Sequence, residues 1–151
     1  MRSVTVQSIA DHNYAMLVHQ GSHALVTDEP PEQDGDGLGP GAYDLLLAAL
    51  GSCMATTMVM YARRKEWALY EVSVHVTQER IPAGECRDCT PEEVAAAGPD
   101  GTINLIRTDV SVRGDLTEEQ TARLLEIGGR CPVHRTLETP PKIVGTIISG
   151  A

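Results

Sequence analysis

Leu45-Leu46-Leu47-Ala48-Ala49-Leu50-Gly51-Ser52-Cys53-Met54-Ala55-Thr56-Thr57-Met58-Val59-Met60-Tyr61-Ala62 carries no charge along its whole length. A run like this is long enough to cross a bilayer on length alone. Its content points elsewhere, because Gly51, Ser52, Thr56, Thr57 and several alanines keep its hydrophobicity modest. A helix that is apolar on all sides is equally the buried centre of a water-soluble domain. The segments on both sides read as strands that need a core to pack on. The run therefore predicts a central helix from about Ala42 to about Lys65, started after the breakers Pro40 and Gly41. Arg63-Arg64-Lys65 suits the negative end of its dipole.

Upstream of the helix, Val4-Thr5-Val6, Ala15-Met16-Leu17-Val18 and His23-Ala24-Leu25-Val26-Thr27 read as three short strands. Gln20-Gly21-Ser22 is the hairpin turn between the last two. Asp28 to Gly41 is acidic and crowded with Pro and Gly, which excludes regular structure. Downstream, Leu69 to Gln78 alternates Val72, Val74 and Val76 with Ser73, His75 and Thr77, the pattern of a half-buried strand. Ile81 to Gly101 reads as a long connection, in which Thr90 caps one short helical turn with Pro91 at its first position. Ile103 to Val112 is a further strand, and Gly114 ends it. Thr117-Glu118-Glu119-Gln120 forms a capping box for an amphipathic helix bearing Ala122, Leu124, Leu125 and Ile127, which Gly128-Gly129 terminates. Pro132 opens another short helix with Cys131 as its N-cap, and Lys142 to Ile148 closes the chain as a strand. Strands come in runs rather than alternating strictly with helices. The expected class is α+β, a mostly antiparallel sheet wrapped on the long central helix, in one domain over residues 1–151.

Composition narrows the function classes. The chain has 151 residues, 42% hydrophobic and 22% charged, enough to bury a core without metal or disulfide staples. Its formal net charge of -9 repels nucleic acid and anionic lipid, so neither is expected as a partner. Four cysteines in a chain of this length do not make a secreted disulfide scaffold. Met1-Arg2-Ser3-Val4-Thr5-Val6-Gln7 has no apolar signal core. The expected location is the reducing cytoplasm, where cysteines serve as core residues, metal ligands or reactive thiols.

Cys53 lies midway along the apolar helix, where a buried structural thiol and a reactive one are both plausible. Cys131 sits at a helix start, with Arg130, His134 and Arg135 close by in sequence. Free N–H groups and positive charge there favour the thiolate, so a lowered pKa is expected; inward packing is the alternative. Cys86 and Cys89 form a Cys-x-x-Cys in the long connection. That is half of a zinc site, for which His75, His23 and Cys131 are candidate further ligands, or a redox dithiol, or a structural pair. No phosphate loop with its lysine and no serine elbow is present.

Two stretches carry a resemblance. Gly39-Pro40-Gly41-Ala42-Tyr43-Asp44-Leu45 through Gly51-Ser52-Cys53 is similar to the first signature of the OsmC/Ohr family, and Cys131-Pro132-Val133-His134-Arg135-Thr136-Leu137 resembles its second. The segment from Arg107 to Leu125, with Gly114-Asp115-Leu116, fits the stretch that leads to the second cysteine. The resemblance implies an OsmC-like fold built as an intertwined homodimer with active sites at the interface. It implies thiol-dependent reduction of organic hydroperoxides as a defence against oxidative stress. Cys53 would become a sulfenic acid and Cys131 would resolve it as a disulfide. No cofactor is implied; an external dithiol, for instance of the lipoyl type, would reset the pair. Leu46, Leu50, Met54 and Met58 would supply an apolar pocket, or are simply core. The family's Glu ahead of the first cysteine aligns with Tyr43, which leaves Asp44 as the carboxylate to replace it. The family's thiolate-holding Arg has no counterpart that aligns, and Arg107 or Arg135 is offered for that charge. A non-catalytic small-ligand binding or redox-sensing protein on the same fold is the rival reading.

Overall fold

The computed structural model describes residues 1–139 and 141–148. The chain divides into two compact units, Met1–Ala48 and the chain from Ala49 onward.

The first unit holds three strands, β1 (Thr5–Ser8), β2 (Met16–Gln20) and β3 (His23–Thr27), in one antiparallel sheet of order β1-β2-β3. Val6 opposes Val18 and Leu17 opposes Val26, the pairs that the alternation of these segments predicts. The hairpin between β2 and β3 turns at Gly21, whose φ of 57° is a conformation that glycine adopts without steric cost. The following loop is more ordered than its Pro and Gly content suggested. Pro31–Gln33 forms a 3-10 turn, and Asp28, only 3% exposed, organises the segment. Its carboxylate accepts the backbone N–H groups of Glu29 at 2.9 Å, Asp36 at 3.0 Å and Leu38 at 3.1 Å. Burial pushes the Asp28 pKa up, but these three donors together hold it below the ordinary value.

Helix α1 (Ala42–Arg64) has the bounds expected of the central helix. It buries Leu50, Gly51, Met54, Met58 and Ala62, a stripe at spacings of three and four that marks one helix face. That stripe packs on a long antiparallel ribbon of β4 (Ala68–Pro82) and β5 (Thr102–Asp115), through Val72, Val74, Val76, Ile106 and Val110. Both strands run past their expected ends. Gly114 does not stop β5: a Cβ there would stand 2.2 Å from the Ala68 carbonyl oxygen, so the residue's role is close strand approach. The ribbon's connection carries the short helix α2 (Pro91–Ala95), capped by Thr90 and Glu93 as a capping box.

Helix α3 (Glu118–Gly128) starts at the Thr117–Gln120 capping box read from the sequence. Gly128 remains helical, and a Cβ on it would meet the Met58 side chain at 3.2 Å, so it lets α3 approach α1 closely. Helix α4 (Pro132–Glu138) follows with Cys131 as N-cap. Leu124 of α3 and Cys131 complete the core around Leu50, Met54, Met58 and Ala62. The strand expected over 142–148 does not form. Ile143, Ile147 and Ile148 are 88%, 98% and 90% exposed, and the segment pairs with no strand of the described residues.

Candidate active site

The fold brings together the two cysteines that the sequence separates by more than half its length. Cys53 projects from α1 and is half-buried; Cys131, at the start of α4, has no exposed surface. Both are free thiols, and Cys53 packs against the core cluster that holds Cys131, close enough to perturb its thiol. Each is fixed by its backbone. Thr57, one turn along α1, donates its hydroxyl to the Cys53 carbonyl oxygen at 2.7 Å. The first turn of α4 aims the His134 N–H at the Cys131 sulfur, 3.4 Å away, as an N-cap geometry requires.

The expected lowering of the Cys131 pKa is overturned. Burial pushes this thiol above the ordinary cysteine value. The His134 and Val133 N–H groups pull it down, but the neighbouring Cys53 adds to the rise. Desolvation outweighs the helix start because a seven-residue helix presents few aligned peptide dipoles. A thiol whose folded pKa lies above its unfolded one contributes stability fully below the unfolded value of about 8.5, and loses it as pH climbs through the folded value. The wild-type melting temperature should therefore fall more steeply than that of Cys131→Ala between about pH 8 and about pH 10. Parallel alkaline falls in thermal melts of the two proteins would place the source elsewhere.

An open cleft of about 410 Å³ lies one turn beyond Cys53, lined by Thr57, Met60, Tyr61, Arg64, Ile127 and Pro132. Its α1 residues follow Cys53 at i+4, i+7, i+8 and i+11, one continuous helix face. That spacing was the signal by which the sequence could have revealed them. Met54, Met58 and Leu50, expected as pocket walls, are instead sealed in the core. Leu46 is an exposed residue in the first unit. Tyr61 also anchors a cationic cluster: Arg64, Lys65 and Arg123 lie over its ring at 5.2, 5.9 and 5.8 Å, and Trp67 meets it edge-on at 5.5 Å. Arg123 donates its Nε–H to the Tyr61 hydroxyl at 3.3 Å, which lowers the phenol's pKa with help from the nearby cations.

The other candidate residues lie as follows. Asp44 belongs to the first unit, where its carboxylate accepts the Gly41 N–H at 2.9 Å and so closes the first turn of α1. Arg107 is not brought to the thiols. The period of two in β5 turns Ile106 and Val110 toward α1 and Arg107 to the opposite face, where it pairs with Asp88 at 2.7 Å and Glu79 at 3.5 Å. Arg135 is exposed on α4, one turn after Cys131, and its N–H donates to the Cys131 carbonyl oxygen at 3.1 Å.

Residues 35–144 match the family model described as OsmC-like protein. The chain belongs to that family. An OsmC-like protein of Mycoplasma pneumoniae has a similar fold, with a TM-score of 0.69 at 20% identity over 93% of this chain and 89% of that one. An organic hydroperoxide resistance protein OsmC from Legionella pneumophila is similar at a TM-score of 0.62 and 16% identity, over 92% and 90% of the two chains. Another organic hydroperoxide resistance protein, from Elizabethkingia anophelis, gives 0.64 at 12% identity, over 93% and 89%. At these identities the likeness establishes the OsmC-like α+β fold, with its antiparallel strands and long helix. No curated protein sequence matches the chain.

Proposed function

We propose that this OsmC-like protein is a thiol-dependent peroxidase that reduces organic hydroperoxides. The observation that carries the reading is the contact of two free thiols, one half-open and one sealed in the core, beside an apolar cleft. The Cys53 thiolate attacks the terminal peroxide oxygen. The O–O bond breaks, the alcohol leaves with a proton, and Cys53 becomes a sulfenic acid. Cys131 then gives up its proton and attacks the Cys53 sulfur; water leaves and a Cys53–Cys131 disulfide forms. Packed into one cluster, the two sulfurs are neighbours for the bond of about 2.05 Å that this step requires. An external dithiol reduces that disulfide, so one hydroperoxide and one dithiol yield an alcohol, water and an oxidised dithiol.

The raised Cys131 pKa suits the second step. A resolving thiol that stays protonated does not compete for the peroxide, and it lies beside Cys53 while that sulfur reacts. Met60, Ile127 and Pro132 offer apolar surface to the alkyl part of a substrate, and Arg64 stands among them as the one cation. In this reading the protein acts in the cytoplasm as a homodimer. A second copy would cover the open α1 face at Ser52, Thr56 and Met60 and pair the apolar segment 142–148, which is exposed in the single chain.

The test is the count of free thiols before and after one equivalent of cumene hydroperoxide, with peptide mapping. Loss of two thiols to a Cys53–Cys131 disulfide is expected. Unchanged thiols at both positions would sink the peroxidase and favour the ligand-binding or sensing protein. Ligand-dependent thermal stabilisation without turnover would then identify that alternative.

A further inference from the structure

The mechanism above leaves two cysteines unused. Cys86 and Cys89 are joined in a disulfide, with Cα atoms 5.5 Å apart, in the connection beyond the end of the β4–β5 ribbon. Metal binding draws no support from the surroundings: among the described residues no group of three His, Cys, Asp or Glu side chains is placed to hold an ion.

A mechanical role is equally poorly served. The stabilisation from a crosslink grows with the length of chain that it encloses, and this one encloses only Arg87 and Asp88. Both cysteines sit inside the same connection, so the bond ties it to nothing else. Other contacts already fix that connection. Ala83 N–H donates to the Gly101 carbonyl at 2.9 Å, Gly98 N–H to the Thr102 carbonyl at 3.0 Å, and Asp88 and Asp100 pair with Arg107 and Arg80, each at 2.7 Å. The Thr90–Glu93 capping box sets the turn that follows.

The bond also lies across the ribbon from the other thiols. Asp88, between the two cysteines, pairs with Arg107 on the face of β5 turned away from α1, whereas Cys53 stands on α1 and Cys131 lies in the core that α1 covers. The ribbon stands between the two pairs, so exchange between them within one chain requires a large rearrangement.

We propose that Cys86–Cys89 is a second redox couple, which exchanges two electrons with an external dithiol independently of Cys53 and Cys131. Cys89 is the more open sulfur and Cys86 the more buried, which sets the direction of attack. One thiolate of the incoming dithiol attacks Cys89. The Cys86–Cys89 bond breaks and Cys86 leaves as the thiolate, with the exposed Arg87 beside it in sequence to favour the charge. The reductant's second thiolate attacks its own sulfur in the mixed disulfide and releases Cys89. Two protons from the dithiol end on the two cysteines, so the loop disulfide is reduced and the external dithiol is oxidised.

The experiment equilibrates the full-length protein in graded ratios of reduced to oxidised dithiothreitol, traps thiols by alkylation and maps the peptides. Cys86 and Cys89 are expected to become alkylated together, in one reversible two-electron transition, while the chain stays folded by circular dichroism. The same transition is expected in Cys53→Ser, which isolates the loop pair from the peroxide chemistry. A pair that resists dithiothreitol until the chain unfolds would overturn the proposal. So would a pair that cannot re-form once reduced. Loss of the peroxidase reading would show at the Cys53 and Cys131 peptides alone, so the two failures are distinguishable.

Discussion

Cys53→Ser should abolish hydroperoxide consumption, with a loss of at least about 10³-fold in kcat/KM, because a serine hydroxyl at neutral pH cannot replace a thiolate as the nucleophile. Cys131→Ser should behave differently. Its first turnover should keep its rate, since Cys53 still attacks the peroxide, but the sulfenic acid then has no resolving thiol. Mass spectrometry should find Cys53 carrying one added oxygen, then two as excess peroxide drives it to the sulfinic acid. Stopped-flow measurement of the first turnover, paired with intact-mass analysis, separates the two variants. Full activity in Cys53→Ser would end the assignment. A slowed first turnover in Cys131→Ser would mean that the buried thiol assists the attack itself.

The contrast between these two cysteines shows how far the sequence can be read. The N-cap at Cys131, the capping box at Thr117 and the span of α1 are local patterns, and local patterns survive folding. What a one-dimensional reading could not supply was competition between effects from different elements. Arg130, His134 and Arg135 made a lowered Cys131 pKa look favoured, but α1 and α3 close over the sulfur and desolvation prevails. Gly128-Gly129 does end α3, as read, whereas Gly114 read as a stop for β5 because glycine commonly ends elements. In the structure Gly114 instead admits the Ala68 carbonyl and Gly128 in addition admits Met58, and that proximity is a tertiary fact. The pocket shows the same division. Met54, Met58 and Leu50 are apolar and near Cys53 in sequence, yet they face the ribbon. Thr57, Met60 and Tyr61 share the line of Cys53 along α1 and so meet the cleft. The tail 142–148 carries a strand's pattern, but a strand needs an edge, which sequence alone does not locate.

Packing of the resolving cysteine leads to the second large effect. Leu124 of α3 has no exposed surface and lies in the same core cluster as Cys131, Met58, Met54 and Leu50. Leu124→Ala should destabilise the protein by about 2–5 kcal/mol, the range for leucine truncation in a core that only partly collapses. Against a typical total of about 5–15 kcal/mol, that is a large fraction of the stability. Leu125→Ala is the internal control. Its side chain is 52% exposed, on the other side of the same amphipathic helix, and its cost should stay within about 0.5 kcal/mol. The measurement is urea unfolding of all three proteins, where a shifted midpoint at constant slope reports stability alone. The cavity left by Leu124→Ala also removes one wall around Cys131. Water can then approach the sulfur, and the burial that raises its pKa should lessen. The Cys131 thiol should accordingly alkylate faster in folded Leu124→Ala than in the wild type at equal pH, while Leu125→Ala matches the wild type. Equal alkylation in all three proteins would show that the shielding of Cys131 comes from α1 and α4, and that α3 supplies stability without tuning the thiol.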